Sequence, residues 1–174
     1  IEPPVLFNDA ARLAAEWTHD TLSPEHLDTL AKLPQGPMTV SPELEICHGA
    51  PFDEDFYLFE EADAARAIAS TAARICLFGH THVPTLFAKA DDPFGNQIGT
   101  LEEYRLPAAG PALINVGSVG QPRDRDPRAA YGVLDTDQNT ILLRRVAYDI
   151  AAAQASIMAA GLPGWLALRL ERGQ

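Results

Sequence analysis

The chain has 174 residues, 47% of them hydrophobic, with 14 prolines and 12 glycines, which is typical of a globular domain with a core and excludes a disordered chain. Its 13 basic and 24 acidic side chains leave a net charge of −11, which argues against a nucleic-acid groove because such a groove needs a basic face. The apolar runs are far shorter than the ~20 residues of a membrane span, and no secretion signal is recognisable at the start.

The first quarter of the chain predicts two helices followed by two short strands. Asn8 or Asp9 caps a helix that continues through Trp17, and Ser23 before Pro24 is a strong start for a second helix. After a break at residues 34–37, strands are expected at 38–40 and 44–47. The apolar side of the second helix is expected to consist of Leu27, Leu30 and Leu33.

The remainder alternates between helical and strand patterns, which indicates the α/β class. Helices are predicted at 60–74, 149–160 and 165–170, and strands at 75–78, 83–88 and 112–116. Residues 91–96 predict a turn, 98–106 suit an edge hairpin, and 131–146 predict a hairpin. The packing sides of the first two of these helices are expected to be Ala64, Ala65, Ile68, Ala69 and Ala72, and Ile150, Ala153, Ile157 and Met158.

The clearest chemical signal is Gly-His-Thr-His-Val-Pro at residues 79–84, directly after an apolar strand. In extended backbone, residues i and i+2 point to the same side, so His80 and His82 are expected to face one site at the strand's end. Neutral imidazole is the commonest metal ligand, and two histidines supply half of a four-ligand site. For so short a pattern, a pair of histidines on a surface loop is the alternative.

A second predicted strand also ends in a histidine followed by glycine, at His48 and Gly49. Two such strand ends in one chain make a converging site of three histidines more credible. His19 and His26 lie in polar helical stretches and are expected at the surface. The acidic residues between 53 and 63 are expected to form a solvated loop and a helix start.

The two cysteines, Cys47 and Cys76, lie in apolar runs next to the candidate histidines. Two cysteines do not make a disulfide framework, so we expect small buried thiols in a reduced, cytoplasmic protein.

A third strand ends in a polar, glycine-rich loop at residues 115–120. Asn115 and Ser118 are candidates for orienting a ligand's oxygens, or else the loop is a tight turn whose asparagine tolerates an unusual backbone. Three arginines follow within six residues, at 123, 125 and 128. Arg123 or Arg128 is a candidate for binding a phosphate oxygen, and pairing with the neighbouring aspartates is the structural alternative.

In order and spacing, these motifs resemble those of the calcineurin-like metallophosphoesterases, and most of all their small bacterial phosphodiesterase-like branch. The matching segments are Cys-His-Gly-Ala-Pro at 47–51, Gly-His-Thr-His-Val-Pro at 79–84 and Ile-Asn-Val-Gly-Ser-Val-Gly-Gln-Pro-Arg at 114–123. The resemblance extends from about Phe7 to the C-terminus.

The resemblance implies a two-metal site in which His48 and His80 bind one ion and His82 binds the other. The implied fold is a four-layer αββα sandwich of two mainly mixed β-sheets. The implied reaction is hydrolysis of a phosphodiester or small phosphate ester by water activated by two divalent ions, which in this family are manganese, iron, zinc, nickel or magnesium. Arg123, Asn115 and Ser118 are the candidate substrate-binding residues.

The chain departs from the family pattern in one large respect. The Asp-x-His, Gly-Asp and Asn-His motifs of the family's N-terminal half do not occur in it. These motifs carry the carboxylate that bridges the metals and the catalytic histidine, so no catalytic residue is assigned here. We therefore expect residues 1–174 to be the C-terminal portion of one metallophosphoesterase domain, without its first strands and inactive alone.

A second class of function on the same fold is a non-catalytic scaffold or binding protein, as in the retromer scaffold subunit. Loss of ligand histidines would favour that interpretation, whereas all three that this segment should carry are retained. A third interpretation is a structural site for a single ion. The expected partners are a small phosphorylated substrate and either a missing N-terminal segment or another copy of the chain, with neither nucleic acid nor membrane.

Overall fold

The computed structural model describes residues 9–88, 96–97, 103–108 and 110–174. Contacts divide the chain into two compact units, Ile1–Pro34 with Asp149–Glu171, and Gln35–Tyr148 with Arg172–Gln174. The described residues contain five helices, α1 (Asp9–Thr21), α2 (Pro24–Ala31), α3 (Glu61–Ser70), α4 (Ile150–Ala159) and α5 (Gly164–Arg172). They also contain nine strands, β1 (Met38–Ser41), β2 (Leu44–Ile46), β3 (Ile75–Phe78), β4 (Thr85–Ala88), β5 (Asn96–Gln97), β6 (Glu103–Arg105), β7 (Ala112–Asn115), β8 (Ala129–Asp135) and β9 (Thr140–Val146).

Helix α2 begins at the predicted capping signal, and α4 begins one residue inside its predicted range. The hydroxyl of Ser23 accepts a hydrogen bond from the backbone N–H of His26 at 3.3 Å, with Pro24 in the first helical position. Asp149 caps α4 by accepting from the N–H of Ala152 at 2.9 Å. Both caps satisfy backbone donors that have no partner inside the helix.

The predicted packing sides of two of these helices are wrong in part. Leu30 and Leu33 of the second helical pattern are half or more exposed, and α2 contains no buried residue. Met158 of α4 is also exposed, whereas Ile150, Ala153 and Ile157 are half-buried. Helix α4 is apolar or small around most of its circumference, so its sequence does not mark one packing side.

The second unit contains both β-sheets. The larger sheet has the strand order β1-β2-β3-β7-β4-β5, in which β2, β3 and β7 run parallel and the other pairings are antiparallel. The smaller sheet has the order β6-β9-β8 and is antiparallel. The predicted hairpin at 131–146 is confirmed as β8 and β9. Together the sheets and helices confirm the predicted mixed α/β fold.

The central strands are buried on both faces. Ile75 and Ile114 pack with Ile141 of the smaller sheet, so one core cluster lies between the two sheets. Cys76 and Leu113 face the opposite side and pack with the alanines of α3. This double burial explains why the strand patterns are continuously apolar rather than alternating.

Helix α3 is shorter than the predicted range 60–74, since it ends at Ser70. Its buried face is Ala64 and Ala67, so the packing roles expected for Ala65, Ala69 and Ala72, which are exposed, are wrong. An alanine-rich helix offers equally small side chains on several faces, and the core selects one of them.

The stretch that suited an edge hairpin is described only in part. Its residues 103–105 form β6, an edge strand that pairs with β9. The turn predicted at 91–96 lies outside the described residues except for Asn96, which is in β5. Among the described helices, none is long and apolar enough to cross a membrane.

Candidate metal centre

Three parallel strands deliver the candidate histidines and Asn115 to one edge of the larger sheet. Ile46 of β2 pairs with Leu77 of β3, and Phe78 pairs with Asn115 of β7, so the carboxyl ends of all three strands coincide. The ladder continues past the strand ends, because the N–H of Gly79 donates to the carbonyl of His48 at 2.8 Å. Ligand sites in open α/β sheets form at such edges.

His48 and His80 meet at this edge. Nε2 of His48 lies 3.0 Å from Nδ1 of His80, and their rings are packed edge to face. A metal ion binds imidazole nitrogens at about 2.0–2.1 Å, which places two neighbouring ligand nitrogens roughly 2.9–3.4 Å apart. The spacing of the two nitrogens therefore fits a pair of ligands to one divalent ion.

The neutral form of His80 is favoured by its surroundings. Burial lowers the pKa of His80 below its ordinary value, and nearby His48 and Arg123 act in the same direction, while contacts with Asp55 oppose the shift. A histidine must be neutral to offer a lone pair to a metal, and burial favours that form of His80.

His82 is oriented by a backbone carbonyl. Its Nδ1 lies 2.7 Å from the carbonyl oxygen of Gln121, so Nδ1 carries the proton and Nε2 carries the lone pair. This is the hydrogen bond by which proteins fix the tautomer of a ligand histidine. The same loop bonds back through the N–H of Arg123, which donates to the carbonyl of His82 at 3.2 Å.

The structure brings together two of the three predicted ligands. In the described ranges, no group of three or more histidine, cysteine, aspartate or glutamate side chains is arranged to hold a metal ion. The donors present thus fit one side of a metal centre, and the chain's own carboxylates do not complete it in the part that the structure describes.

The backbone between the two histidines is not extended, so that assumption of the sequence argument is wrong. His80 and His82 have φ of 64° and 59°, in the left-handed region, where non-glycine residues are uncommon and cost about 1–3 kcal/mol each. Such strain persists only where surrounding contacts determine the conformation.

Asn115 provides those contacts. Its Nδ2 donates to the carbonyl of Gly79 at 2.8 Å and to Oγ1 of Thr81 at 2.9 Å, and its Oδ1 accepts from the N–H of Gly117 at 2.8 Å. The side chain is 0% exposed, which favours a role in holding the histidine loop. The unusual backbone of this turn occurs at Gly117, with φ of 87°, and not at Asn115.

Ser118 is likewise engaged with its own loop, because its hydroxyl accepts from the N–H of Gln121 at 2.9 Å. A substrate contact by Asn115 or Ser118 stays a prediction.

The arginines in and near residues 123–128 differ in whether they form ion pairs with aspartates. Arg128 forms a double hydrogen bond with Asp126, which confirms the structural alternative for that residue. Arg145 pairs with Asp124. Arg123 forms no ion pair among the described residues. One of its terminal nitrogens donates to Oε1 of Gln121 at 3.3 Å, while its buried Nε has no hydrogen-bond partner there. Arg123 therefore remains the arginine that can receive an anion beside His80.

The burial predicted for the cysteines is confirmed for Cys76, whereas Cys47 is only half-buried. Both are free thiols, and their sulfur atoms lie 3.7 Å apart behind the site. The hydrogen bond between them lowers the pKa of Cys47 and, together with burial, raises that of Cys76. Cys76 is fully buried in the core, and Cys47 packs against the same cluster.

Sequence reasoning missed Tyr57, whose ring stacks on His80 with a centroid distance of 3.8 Å. The available signal was the alternation at 56–59, where Phe56 and Leu58 face the core and Tyr57 and Phe59 are exposed. The acidic residues Asp53 and Asp55 are exposed, as predicted.

Proteins with similar sequences or folds are known. A calcineurin-like phosphoesterase superfamily domain matches residues 17–139. An uncharacterised protein of Methanocaldococcus jannaschii is 30% identical over 173 residues, an alignment that covers 97% of this chain and 68% of the relative.

Two crystal structures resemble the chain. A metallophosphoesterase from Sphaerobacter thermophilus matches with a TM-score of 0.87 and 33% identity, over 100% of this chain and 71% of its own. A hypothetical protein of Pyrococcus horikoshii OT3 matches with a TM-score of 0.74 and 15% identity, over 98% of this chain and 63% of its own, and shows the shared fold alone. The chain therefore belongs to the calcineurin-like metallophosphoesterases, as its three ordered motifs predict.

Proposed function

We propose that this chain contributes half of the metal centre of a metal-dependent phosphoesterase that hydrolyses a phosphodiester or a small phosphate ester. Phosphoesterase chemistry is the activity of its family. The observation that carries the finer proposal is the 3.0 Å approach of the His48 and His80 nitrogens at the edge of the parallel strands.

His48 and His80 would hold one divalent cation, and His82 would offer its Nε2 to a second. Imidazole nitrogens suit iron, zinc or nickel better than calcium, and manganese and magnesium are also used in this family. Divalent cations at such a site lower the pKa of water and stabilise the charge that develops on phosphorus. The chain's own loops would position the three imidazoles, and the Gln121 carbonyl would fix the tautomer of His82.

Arg123 would bind the phosphate. A protein of net charge −11 needs local positive charge to attract an anion. The guanidinium group acts electrostatically on His80, and its buried Nε lacks a partner among the described residues. A phosphate oxygen is the acceptor that arginine binds best.

We further propose that these residues form the C-terminal portion of the catalytic domain and that the 174-residue chain alone is inactive. The family's bridging carboxylate and phosphate-contacting histidine belong to motifs that this sequence does not contain. Another segment of the whole protein, or a partner chain, would supply them. Without them, the three histidines would bind a divalent ion weakly.

Calorimetric titration of Mn²⁺ into the purified chain tests the ligand assignment. Wild type should bind weakly, and His48→Ala or His80→Ala should lower the affinity by roughly tenfold or more. The double variant should lose less than the sum of the two single variants in free energy, because both side chains would serve one ion. His19→Ala, on exposed α1, is the matched control; equal effects of all variants would contradict the assignment.

Hydrolysis of bis(p-nitrophenyl) phosphate with Mn²⁺ tests whether the isolated chain contains a complete catalytic site. We expect the isolated chain to stay at the buffer rate. Turnover that disappears in His82→Ala would contradict the proposed inactivity and place a working centre within these residues. If the upstream segment is restored and turnover is still absent, the non-catalytic scaffold becomes the better interpretation.

A further inference from the structure

A row of three aromatic rings leads from solvent to the histidine pair. Tyr57 and Phe59 are 44% and 58% exposed, and their ring planes differ by only 2° with centroids 5.9 Å apart. On its other side the row continues into His80, whose ring stacks on Tyr57 at 3.8 Å. We call Phe59, Tyr57 and His80 the aromatic row.

The backbone of this segment explains why both rings face outward. Leu58, between them, is fully buried in the core cluster, and alternate residues of extended backbone point to opposite sides. The loop before them is held by backbone hydrogen bonds between Ala50 and Asp53 and by the N–H of Phe56, which donates to the carbonyl of Asp53. Packing of Leu58 therefore sets the position of the row and leaves the rings of Tyr57 and Phe59 exposed.

Exposed aromatic pairs of this kind suit planar ligands. Contiguous exposed apolar surface that includes aromatic rings is a common feature of ligand-binding sites. Stacking of a nucleobase on an aromatic side chain strengthens binding by roughly tenfold or more and tolerates different bases, since every base has a π-face.

The two ends of the aromatic row favour different chemical groups of one ligand. Arg123 acts electrostatically on His80 at the inner end and supplies positive charge for a phosphate. The outer end offers the exposed, stacked rings of Tyr57 and Phe59. A compound that carries a phosphate at one end and a planar ring at the other satisfies both.

We propose that Tyr57 and Phe59 form a stacking surface for the substrate, so that the substrate class is a phosphate ester of a planar heteroaromatic compound, such as a nucleotide. This inference rests on the proposed function, because the phosphate would lie at the histidine pair. Phe59 is the cleaner probe of the two, since its ring contacts Tyr57 and not a candidate ligand.

Binding of AMP and of ribose 5-phosphate to the 174-residue chain with Mn²⁺, measured by calorimetry, tests the inference. Wild type should bind AMP about tenfold more tightly than ribose 5-phosphate. Phe59→Ala and Tyr57→Ala should both remove the preference for AMP. In Phe59→Ala, the affinity for ribose 5-phosphate should stay unchanged. Tyr131→Ala, which removes a 43% exposed ring from β8, should change neither affinity.

Equal affinity of wild type for the two compounds, or no affinity for either, would overturn the stacking surface. Equal loss of both ligands in Phe59→Ala would also overturn it, because the ring would then support the site rather than a base. A failure of the metal centre is distinguishable: Mn²⁺ binding would be absent while an AMP preference that depends on Phe59 persisted.

Discussion

Asn115 and Thr81 are joined by a hydrogen bond in the interior of the protein, in which Nδ2 of the asparagine donates to Oγ1 of the threonine over 2.9 Å. Both side chains are buried. The threonine stands between the two histidines of the Gly-His-Thr-His motif. The end of β7 therefore fixes the loop at the end of β3, and the left-handed backbone of both histidines depends on that contact.

Replacing Asn115→Ala should destabilise the fold by about 2–4 kcal/mol, because it strips buried partners from Gly79, Thr81 and Gly117. Urea denaturation measures the loss, and Mn²⁺ titration should show weaker binding in the same variant. Gln138→Ala, in the exposed turn between β8 and β9, is the control and should cost less than about 0.5 kcal/mol. A decrease in the free energy of unfolding below about 1 kcal/mol for Asn115→Ala would refute the stabilising role of these hydrogen bonds.

Gly49→Ala should be poorly tolerated, whereas Gly120→Ala should be nearly neutral. A Cβ at residue 49 would lie 2.5 Å from the carbonyl oxygen of Glu54 and 2.8 Å from that of Phe56, both backbone atoms, while one at residue 120 would meet nothing within 4 Å. We expect a cost of about 1–3 kcal/mol for Gly49→Ala, with weakened Mn²⁺ binding because His48 is adjacent. Thermal unfolding of the two variants side by side checks this; similar melting temperatures would contradict it.

Stability should fall at acid pH partly through Asp126. Hydrogen bonds from Arg128 lower the pKa of this carboxyl, with burial opposing. Because the folded-state pKa lies below the unfolded value of about 3.9, the pair stabilises the fold above about pH 4, and this contribution disappears as the pH falls through the folded-state pKa.

Asp126→Asn should therefore be less stable than wild type by up to about 1 kcal/mol at pH 7, and the difference should shrink as the pH falls below about 4. Urea midpoints at pH 7, 5 and 3 measure the difference. Asp137→Asn alters an exposed carboxylate that forms no ion pair among the described residues and should show no such convergence. A constant gap between Asp126→Asn and wild type across the range would rule out this linkage.

Local signals predicted the helix starts and the strand ends well. The caps at Ser23 and Asp149 involve residues three positions apart, so the sequence contains the whole interaction. The packing faces of α3 and α4 were predicted less well, because small or apolar residues surround both helices and the tertiary core selects among equivalent faces.

The meeting of His48 and His80 was predicted from two strand ends of the same design. The sequence did not predict three other features of the site. These are the left-handed backbone of His80 and His82, the hydrogen bonds by which Asn115 holds the histidine loop, and the stacking of Tyr57 on His80. Each of these depends on a contact with a segment distant in the chain, and periodicity does not encode such contacts.

The sequence by itself determined the order of strands and polar motifs, the family, and the residue types available to a metal and a phosphate. The tertiary structure alone decided which nitrogens face each other, since the 3.0 Å approach joins residues 32 positions apart through the register of β2 and β3. It also separated Arg123 from the arginines that pair with aspartates. The physical reason is that hydrogen-bonded register and side-chain packing between distant segments set distances, whereas sequence patterns report only on neighbours within about one helical turn or strand repeat.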